Sequence, residues 1–243
     1  MSNNIIFVTG TDTGVGKTTV TGLLAAGLRS RGLRIAVFKP AETGCSPGPD
    51  GSLLPADAAR LRRLAGTPQP IEDVCPYTFR EPLAPAVAAR REGRSIDFRW
   101  LCAQIRSRAD QYDLTLVEGA GGWLVPLAQQ LTFADLAMAL GAEALVIVAN
   151  RLGALNHALL TVQHVRMCGL RCAGYVWNHP APITEVAQTT NPEALREWLG
   201  PALGSVPYLR DGWDAPDAAA RIAEECFDLD GFLRARQEAE ARR

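Results

Sequence analysis

Lysine is nearly absent from this sequence. Its 25 basic residues are 23 arginines and 2 lysines, Lys17 and Lys39. Net charge is missing too: 26 acidic residues leave a balance of -1. Without a basic excess there is no electrostatic footprint for nucleic acid or for polybasic attachment to lipid. A disordered acidic chain is excluded as well, because 47% of the residues are hydrophobic. Histidine is scarce, with 3 copies. The six cysteines (Cys45, Cys75, Cys102, Cys168, Cys172 and Cys226) contain no C-x-x-C pair, so no zinc spacing exists. Reduced thiols in a cytosolic core fit this usage. No hydrophobic run reaches the ~18 residues of a membrane span. The longest, 136–149, is broken by Glu143. The start, Met1-Ser-Asn-Asn-Ile-Ile-Phe-Val, lacks the basic region and apolar stretch of a secretory signal. The expectation is a cytoplasmic protein with neither a membrane nor a nucleic-acid partner.

What is present is an alternation of two kinds of apolar segment. Short β-branched runs at 5–9, 35–38, 114–117, 144–149 and 172–177 read as buried strands. Between them lie stretches with helical spacing. In 18–31, Val20, Leu23, Leu24 and Leu28 share one face and Gly32 ends the helix. Segments 99–110 and 156–168 read similarly. Thr132 and Asp135 fit a capping box for a helix running to Leu140. Strands buried on both faces and separated by helices imply an α/β fold, with a mostly parallel central sheet flanked by helices on both faces. At 243 residues a chain can bury roughly 70–75% of its unfolded surface in one domain. The expected organisation is a single catalytic domain over 1–231 and a charged helix or frayed tail over 232–243. Segment 40–55, rich in Pro and Gly, reads as a long functional loop.

The strongest signal is Thr9-Gly-Thr-Asp-Thr-Gly-Val-Gly-Lys-Thr-Thr19, between the first strand and the first long helix. Glycines there let backbone N–H groups approach a polyphosphate, and the helix N-terminus adds a favourable dipole. Lys17 would reach the β/γ-phosphates, and the Thr18 hydroxyl would bind Mg²⁺. The first glycine of the usual pattern is replaced by Thr11, with Gly10 one residue earlier. A second signal is Glu118, expected at the end of its strand and followed by Gly119-Ala-Gly-Gly122. Ligands of open α/β sheets sit beyond the carboxyl ends of strands, so this carboxylate is placed to hold Mg²⁺ or its waters. A third is Lys39, at the end of the second strand. A lysine there can stabilise charge on a transferring phosphoryl group. In a chain whose surface uses Arg, the two lysines stand out. Asp113 reads as a turn residue.

Together these pieces resemble the dethiobiotin synthetase family. The motifs that carry the resemblance are Gly10-Thr-Asp-Thr-Gly-Val-Gly-Lys-Thr18, Lys39-Pro-Ala-Glu-Thr-Gly44, Pro76-Tyr-Thr-Phe79 with Glu81-Pro82, and Val117-Glu-Gly-Ala-Gly-Gly-Trp123. Thr132-Phe-Ala-Asp135, Leu152-Gly-Ala-Leu-Asn-His-Ala158, Asn178 and Val206-Pro-Tyr-Leu209 extend it to about residue 210. The resemblance implies an ATP- and Mg²⁺-dependent ring closure of 7,8-diaminononanoate with CO₂. A carbamate would take the γ-phosphoryl group of ATP, and the second amine would displace phosphate to close a ureido ring. Charge neutralisation matters more than proton relays in such chemistry.

By resemblance, Lys39 is the catalytic lysine and Lys17 joins it at the carbamate and γ-phosphate. Thr18, Asp57 and Glu118 would hold Mg²⁺; Asp57, before a helical stretch, is also an ordinary N-cap. Thr13, Gly14, Val15, Gly16, Gly119 and Gly121 would surround the nucleotide. Asn178 would read the adenine edge, with Pro207, Tyr208 and Leu209 nearby, or else form a turn. Thr11 and Thr43 would lie near the substrate. The Leu155-Asn156 turn would receive the substrate carboxylate in the partner subunit's site, which implies a homodimer. His157 reads as a packed or interface residue.

Three positions depart from the family pattern. Gly14 stands where many members carry Glu, Ala86 follows Pro85 where His is frequent, and Glu42 puts an acid in the substrate loop. The main rival is a regulatory ATPase of the chromosome- or septum-positioning type. Such proteins carry a signature Lys five residues before the loop Lys; here Asp12 holds that position. A small-molecule kinase would need an arginine-rich lid. Arg60, Arg62 and Arg63 could imitate one, but read as an exposed helix face.

Overall fold

The computed structural model describes residues 4–182, 184–210 and 212–241. Residues 1–3 of the predicted N-terminal stretch, and Arg242 and Arg243 of the predicted tail, lie outside the described residues. Six strands, β1 (Ile5–Gly10), β2 (Ile35–Phe38), β3 (Leu114–Gly122), β4 (Glu143–Ala149), β5 (Cys172–Asn178) and β6 (Gly204–Val206), form one parallel sheet. Their spatial order is β6-β5-β4-β1-β3-β2. The chain reverses its direction of winding beside β1, and this opens a crevice at the strands' carboxyl ends.

Successive strand residues point to opposite faces, and in β1 both faces are buried. Ile6 and Val8 pack with Leu23 and Leu28 of α1 (Lys17–Ser30) and with Leu61 and Leu64 of α2 (Ala56–Ala65). Ile5 and Phe7 pack with Leu101 and Ile105 of α3 (Phe98–Ala109) and with Phe133 and Leu136 of α4 (Phe133–Leu140). On β4 and β5, Val146, Val148, Tyr175 and Trp177 meet Ala158 and Val162 of α5 (Ala154–Met167) and Leu195 of α6 (Val186–Leu199). Helices therefore cover both faces. This accounts for the continuous apolar runs of the strands, which show no in–out alternation. The capping box is formed as predicted: the Asp135 N–H meets Thr132 Oγ1, and the Thr132 N–H donates to Asp135 Oδ2 at 2.7 Å.

Several boundaries move. β3 runs five residues past the predicted strand, through Glu118 and its glycines. α5 starts at Ala154, so Leu155 and Asn156 lie inside its first turn. Segment 40–55 holds three short strands: Ala41–Thr43 pairs in parallel with Tyr77–Phe79, and Ser46–Pro47 pairs with Leu53–Leu54.

After α7 (Pro216–Cys226), α8 (Leu229–Ala241) starts before the predicted tail boundary. It is a docked element: Leu229 and Phe232 are buried against the sheet. Arg236 reaches the buried Glu143 carboxylate at 3.1 Å, and Arg171 reaches it at 2.9 Å. The same Glu143 that interrupts the apolar run 136–149 thus fastens α8 to the sheet. Removing one partner of a buried ionic cluster costs about 3–5 kcal/mol. Glu143→Ala is expected to lower the urea unfolding midpoint accordingly and to expose α8 to protease. An unchanged midpoint would mean that the Glu143 cluster does not hold α8.

Candidate active site

The phosphate loop fills the turn between β1 and α1. Gly16 is the N-cap of α1, in a left-handed conformation (φ 88°) and with no side-chain cap. A Cβ there would lie 2.1 Å from Asn178 Nδ2. Glycine is therefore required twice, for the backbone angle and for this close approach. At Gly10 a Cβ would sit 2.6 Å from Val15 Cγ2. The first N–H groups of α1 are thereby left facing outward, where an anion would meet them.

Both lysines are buried at this mouth. Lys17 Nζ donates to the Asp12 carbonyl at 3.3 Å. Burial, reinforced by the Lys39 cation, pulls its ammonium down to about 8. Lys39, directly after β2, donates to Glu118 Oε1 at 2.5 Å and to Asp57 Oδ2 at 3.2 Å. Burial pulls its pKa down as well, but Glu118, Asp57 and Glu42 outweigh that and hold it above the ordinary lysine range. Two lysines in one pocket are thus driven in opposite directions by what surrounds them.

Glu118 is fully buried. It is not at a strand end but inside β3, opposite Val8 of β1, because the ladder continues through the glycines that follow. Its Oε1 also accepts from the Thr18 hydroxyl at 2.8 Å, while its Oε2 has no hydrogen-bond partner. A buried carboxylate oxygen without a donor is costly. Together with Thr18 Oγ1 and the Asp57 carboxylate it makes an all-oxygen donor set that suits a hard cation. No group of three or more His, Cys, Asp or Glu among the described residues could hold a metal alone.

Asp57 is not the N-cap of α2. Pro55 takes that position, without a side-chain hydrogen bond, and Asp57 lies in the first turn. Glu42 is turned toward that helix rather than offered to the loop's ligand: its carboxylate accepts from the Asp57 and Ala58 N–H groups, each at 3.0 Å.

A cavity of about 360 Å³ opens beside these groups; Glu118, fully buried, is not among the residues that line it and reaches it only through Lys39 and Thr18. Thr13, Gly14, Gly16, Lys17, Thr18, Lys39, Thr43, Asp57 and Gly121 of the predicted set line it, as does Glu42. Other predicted residues do not. Val15 is buried in the core, and Gly119 lies behind Glu118, where a Cβ would press on the Phe7 ring at 3.3 Å. The Thr11 hydroxyl is turned to the Ile147 carbonyl at 3.4 Å. Asn178 holds the loop from behind, donating to the Val15 carbonyl at 2.8 Å. Pro207 and Tyr208 are exposed beyond β6, while Leu209 packs on the core. Asn156 is exposed in the first turn of α5.

The exposed-face reading of the α2 arginines is corrected for Arg60, which lines the cavity. Its guanidinium lies over the Trp213 ring, 5.6 Å from the centroid, and 3.5 Å from Asp214. Arg63 meets Asp214 at 2.5 Å, and Arg62 donates to the Gln69 carbonyl. Arg60 was missed because its partners are more than a hundred residues away in the chain. Asp113 accepts from the Arg34 backbone at 2.8 Å and its side chain at 2.7 Å, as suits a turn. All six cysteines are free. Burial pushes the Cys45 thiol up to about 11 and the Cys75 thiol higher still, so neither is an activated nucleophile.

A family model described as an AAA domain matches residues 4–215. The ATP-dependent dethiobiotin synthetase of Anaeromyxobacter sp. (strain Fw109-5) is 43% identical, over 85% of this chain and 91% of its own length. That of Escherichia coli (strain K12) is 37% identical, over 88% and 93%. That of Yersinia pestis bv. Antiqua (strain Angola) is 36% identical, over 96% and 97%. Among solved structures, the cell division ATPase MinD of Pyrococcus furiosus matches with a TM-score of 0.54 at 20% identity, over 92% of this chain and 98% of that one. The Aquifex aeolicus MinC:MinD complex gives 0.58 at 15%, over 96% and 95%. The latter likeness is one of fold. Near-full-length identity to the synthetases separates the two readings: the chain belongs to the ATP-dependent dethiobiotin synthetase family.

Proposed function

We propose that this chain uses ATP to convert 7,8-diaminononanoate and CO₂ into dethiobiotin, a ligase step of biotin biosynthesis. The observation that carries the reading is Lys39, a buried cation at a strand end, ringed by Glu118, Asp57 and, through Glu118, the Thr18 hydroxyl. One substrate amine adds to CO₂, loses a proton and becomes a carbamate. A carbamate oxygen takes the γ-phosphoryl group and ADP leaves. The second amine attacks the carbonyl carbon, the carbon–oxygen bond to phosphate breaks, and the ureido ring closes with loss of a proton. Every step gathers anionic oxygen in one place, so the protein's part is positioning and charge neutralisation.

Lys39 stays a cation through these steps because its carboxylate neighbours hold its proton. It is the group we assign to the carbamate and transferring phosphoryl oxygens. Lys17 and the N–H groups at the start of α1 take the β- and γ-phosphates. Thr18, Asp57 and Glu118 would hold Mg²⁺. The ion, when bound there, would supply charge neutralisation to the phosphates. Thr43 borders the substrate side of the cavity. Asn178, with Pro207 to Leu209, takes the base. One of its amide N–H groups is engaged by the Val15 carbonyl, which leaves the amide oxygen and the second N–H for that role.

A homodimer is part of the proposal. Leu152, before α5, is 80% exposed, and Leu160 and Met167 on the helix are 58% and 83% exposed. These exposed apolar side chains support an interaction surface on this side of α5. A second copy docked there would bring Leu155 and Asn156, with their first-turn N–H groups, to the partner's substrate carboxylate. A cytoplasmic setting agrees with the six free thiols. No helix of the described residues is long and apolar enough to cross a membrane.

Phosphate release from ATP is expected only when diaminononanoate and bicarbonate are both supplied. Robust turnover without the diamine, or turnover stimulated by lipid, would sink the reading. Lys39→Arg should lower kcat by about 10²- to 10³-fold while ADP still binds, because a planar guanidinium cannot replace a point charge between two carboxylates. Wild-type turnover in that variant would remove Lys39 from the reaction.

Lys17 generates a pH dependence. Its cation is the form that meets phosphate, and in the free protein that proton leaves near pH 8. Metal-free ADP affinity, measured calorimetrically, should be level below that pH and fall by up to about tenfold per unit above it. A level profile through pH 9.5 would show that the Lys17 proton does not control phosphate binding in that range.

A further inference from the structure

Helix α2 begins without a cap of its own. Pro55, at its N-cap position, offers no side-chain hydrogen bond, yet the first N–H groups of a helix need acceptors. They find them fifteen residues back in the chain. Glu42 Oε1 accepts from the Asp57 N–H at 3.0 Å, and Glu42 Oε2 accepts from the Ala58 N–H at 3.0 Å. Glu42 is 7% exposed and sits in the strand Ala41–Thr43, pinned in parallel to Tyr77–Phe79. The acceptor is therefore fixed by backbone pairing. Negative charge at this end also suits the dipole of α2. A glutamine would offer one acceptor and one donor to two donors. Only the carboxylate matches both N–H groups, which gives a physical reason for the acid at this position.

We propose that Glu42 is a positioning residue: by capping α2 from the loop, it sets the first turn so that the Asp57 carboxylate meets Lys39. The inference rests on the assignment of Lys39 and Asp57 to the reaction site. Glu42 touches neither phosphate nor substrate in this role, because both its oxygens are committed to α2. Its positional effect reaches the site through Asp57, 3.2 Å from Lys39 Nζ, beside the direct charge it adds around Lys39.

The test uses metal binding and amide exchange alongside turnover. In Glu42→Ala, Mn²⁺ affinity of the ADP-loaded protein, followed by electron paramagnetic resonance, should fall about 10- to 100-fold, as when an outer-sphere partner of a ligand is lost. Metal-free ADP affinity should stay within twofold (roughly) of wild type, since the phosphate loop is intact. Exchange at the Asp57 and Ala58 amides should accelerate, and Glu42→Gln should restore part of the metal affinity. In an Asp57→Ala background, Glu42→Ala should add no further loss, because the two act as one unit. Wild-type Mn²⁺ affinity in Glu42→Ala, or losses that multiply in the double variant, would overturn the proposal. If Glu42→Ala does not fold, Glu42→Gln carries the same comparison. Absence of diamine-dependent turnover in the wild-type protein would refute the assigned function and leave the Mn²⁺ and exchange measurements to judge Glu42.

Discussion

The buried ammonium of Lys39 is the point on which the site depends. Removing a charge from water costs several kcal/mol, and Lys39 is almost wholly buried. It is tolerated because two carboxylates come to it from different elements: Glu118 from β3, the strand next to β2, and Asp57 from α2. Such a cluster is weak evidence for stability, since an apolar set of the same volume would often serve the fold as well. On the proposed function it serves as a device for reaction. The three groups hold one another in geometry and charge state, so oxygen anions arriving nearby meet dipoles and charges already in place.

The opposite behaviour of the two lysines follows from that arrangement. Lys17 is buried with only weak help, its Nζ on a backbone carbonyl, and its proton is loosely held. Lys39 is buried more completely but has two carboxylates in contact, and its proton is tightly held. Each also repels the other, which lowers Lys17 further. A polyphosphate entering the cavity would supply Lys17 with the counter-charge that Glu118 and Asp57 supply to Lys39. In the free protein the pocket is thus unbalanced at one lysine only, and that lysine lies at the mouth of the phosphate loop.

Local signals were readable in the sequence. The Gly-rich turn, its lysine and threonine, the capping box at Thr132 and the strands of the sheet all depend on near neighbours or on a simple period. Glu118 was readable as a residue type but not as a mid-strand residue, because glycines weaken the strand pattern while the ladder continues across them. Glu42 reads as an oddity until its partner is seen. Nothing local says that a loop carboxylate caps a helix fifteen residues on. The positions of Arg60, which reads as part of an exposed helix face, and of Arg236 are not legible for the same reason. Their partners, Trp213 and Asp214 for one and Glu143 for the other, are far off in sequence, and a charged residue at a helical position looks solvated from sequence alone.

The scarcity of lysine gains its meaning from this geometry. Surface cation positions in this chain use arginine, which bridges Asp113, Glu143 and Asp214 through its planar fork. At the sheet mouth that fork would be a liability. Lys39 needs one point charge between carboxylates on two elements, and Lys17 needs a charge whose proton affinity responds to its neighbours. Arginine is always charged and fixed in shape, so it can do neither. The fold is shared with septum-positioning ATPases of low sequence identity, so the sheet and loop by themselves do not choose a reaction. On the proposed function, the choice lies in what surrounds the lysines: Glu118 and Asp57 against Lys39, and Glu42 beneath Asp57.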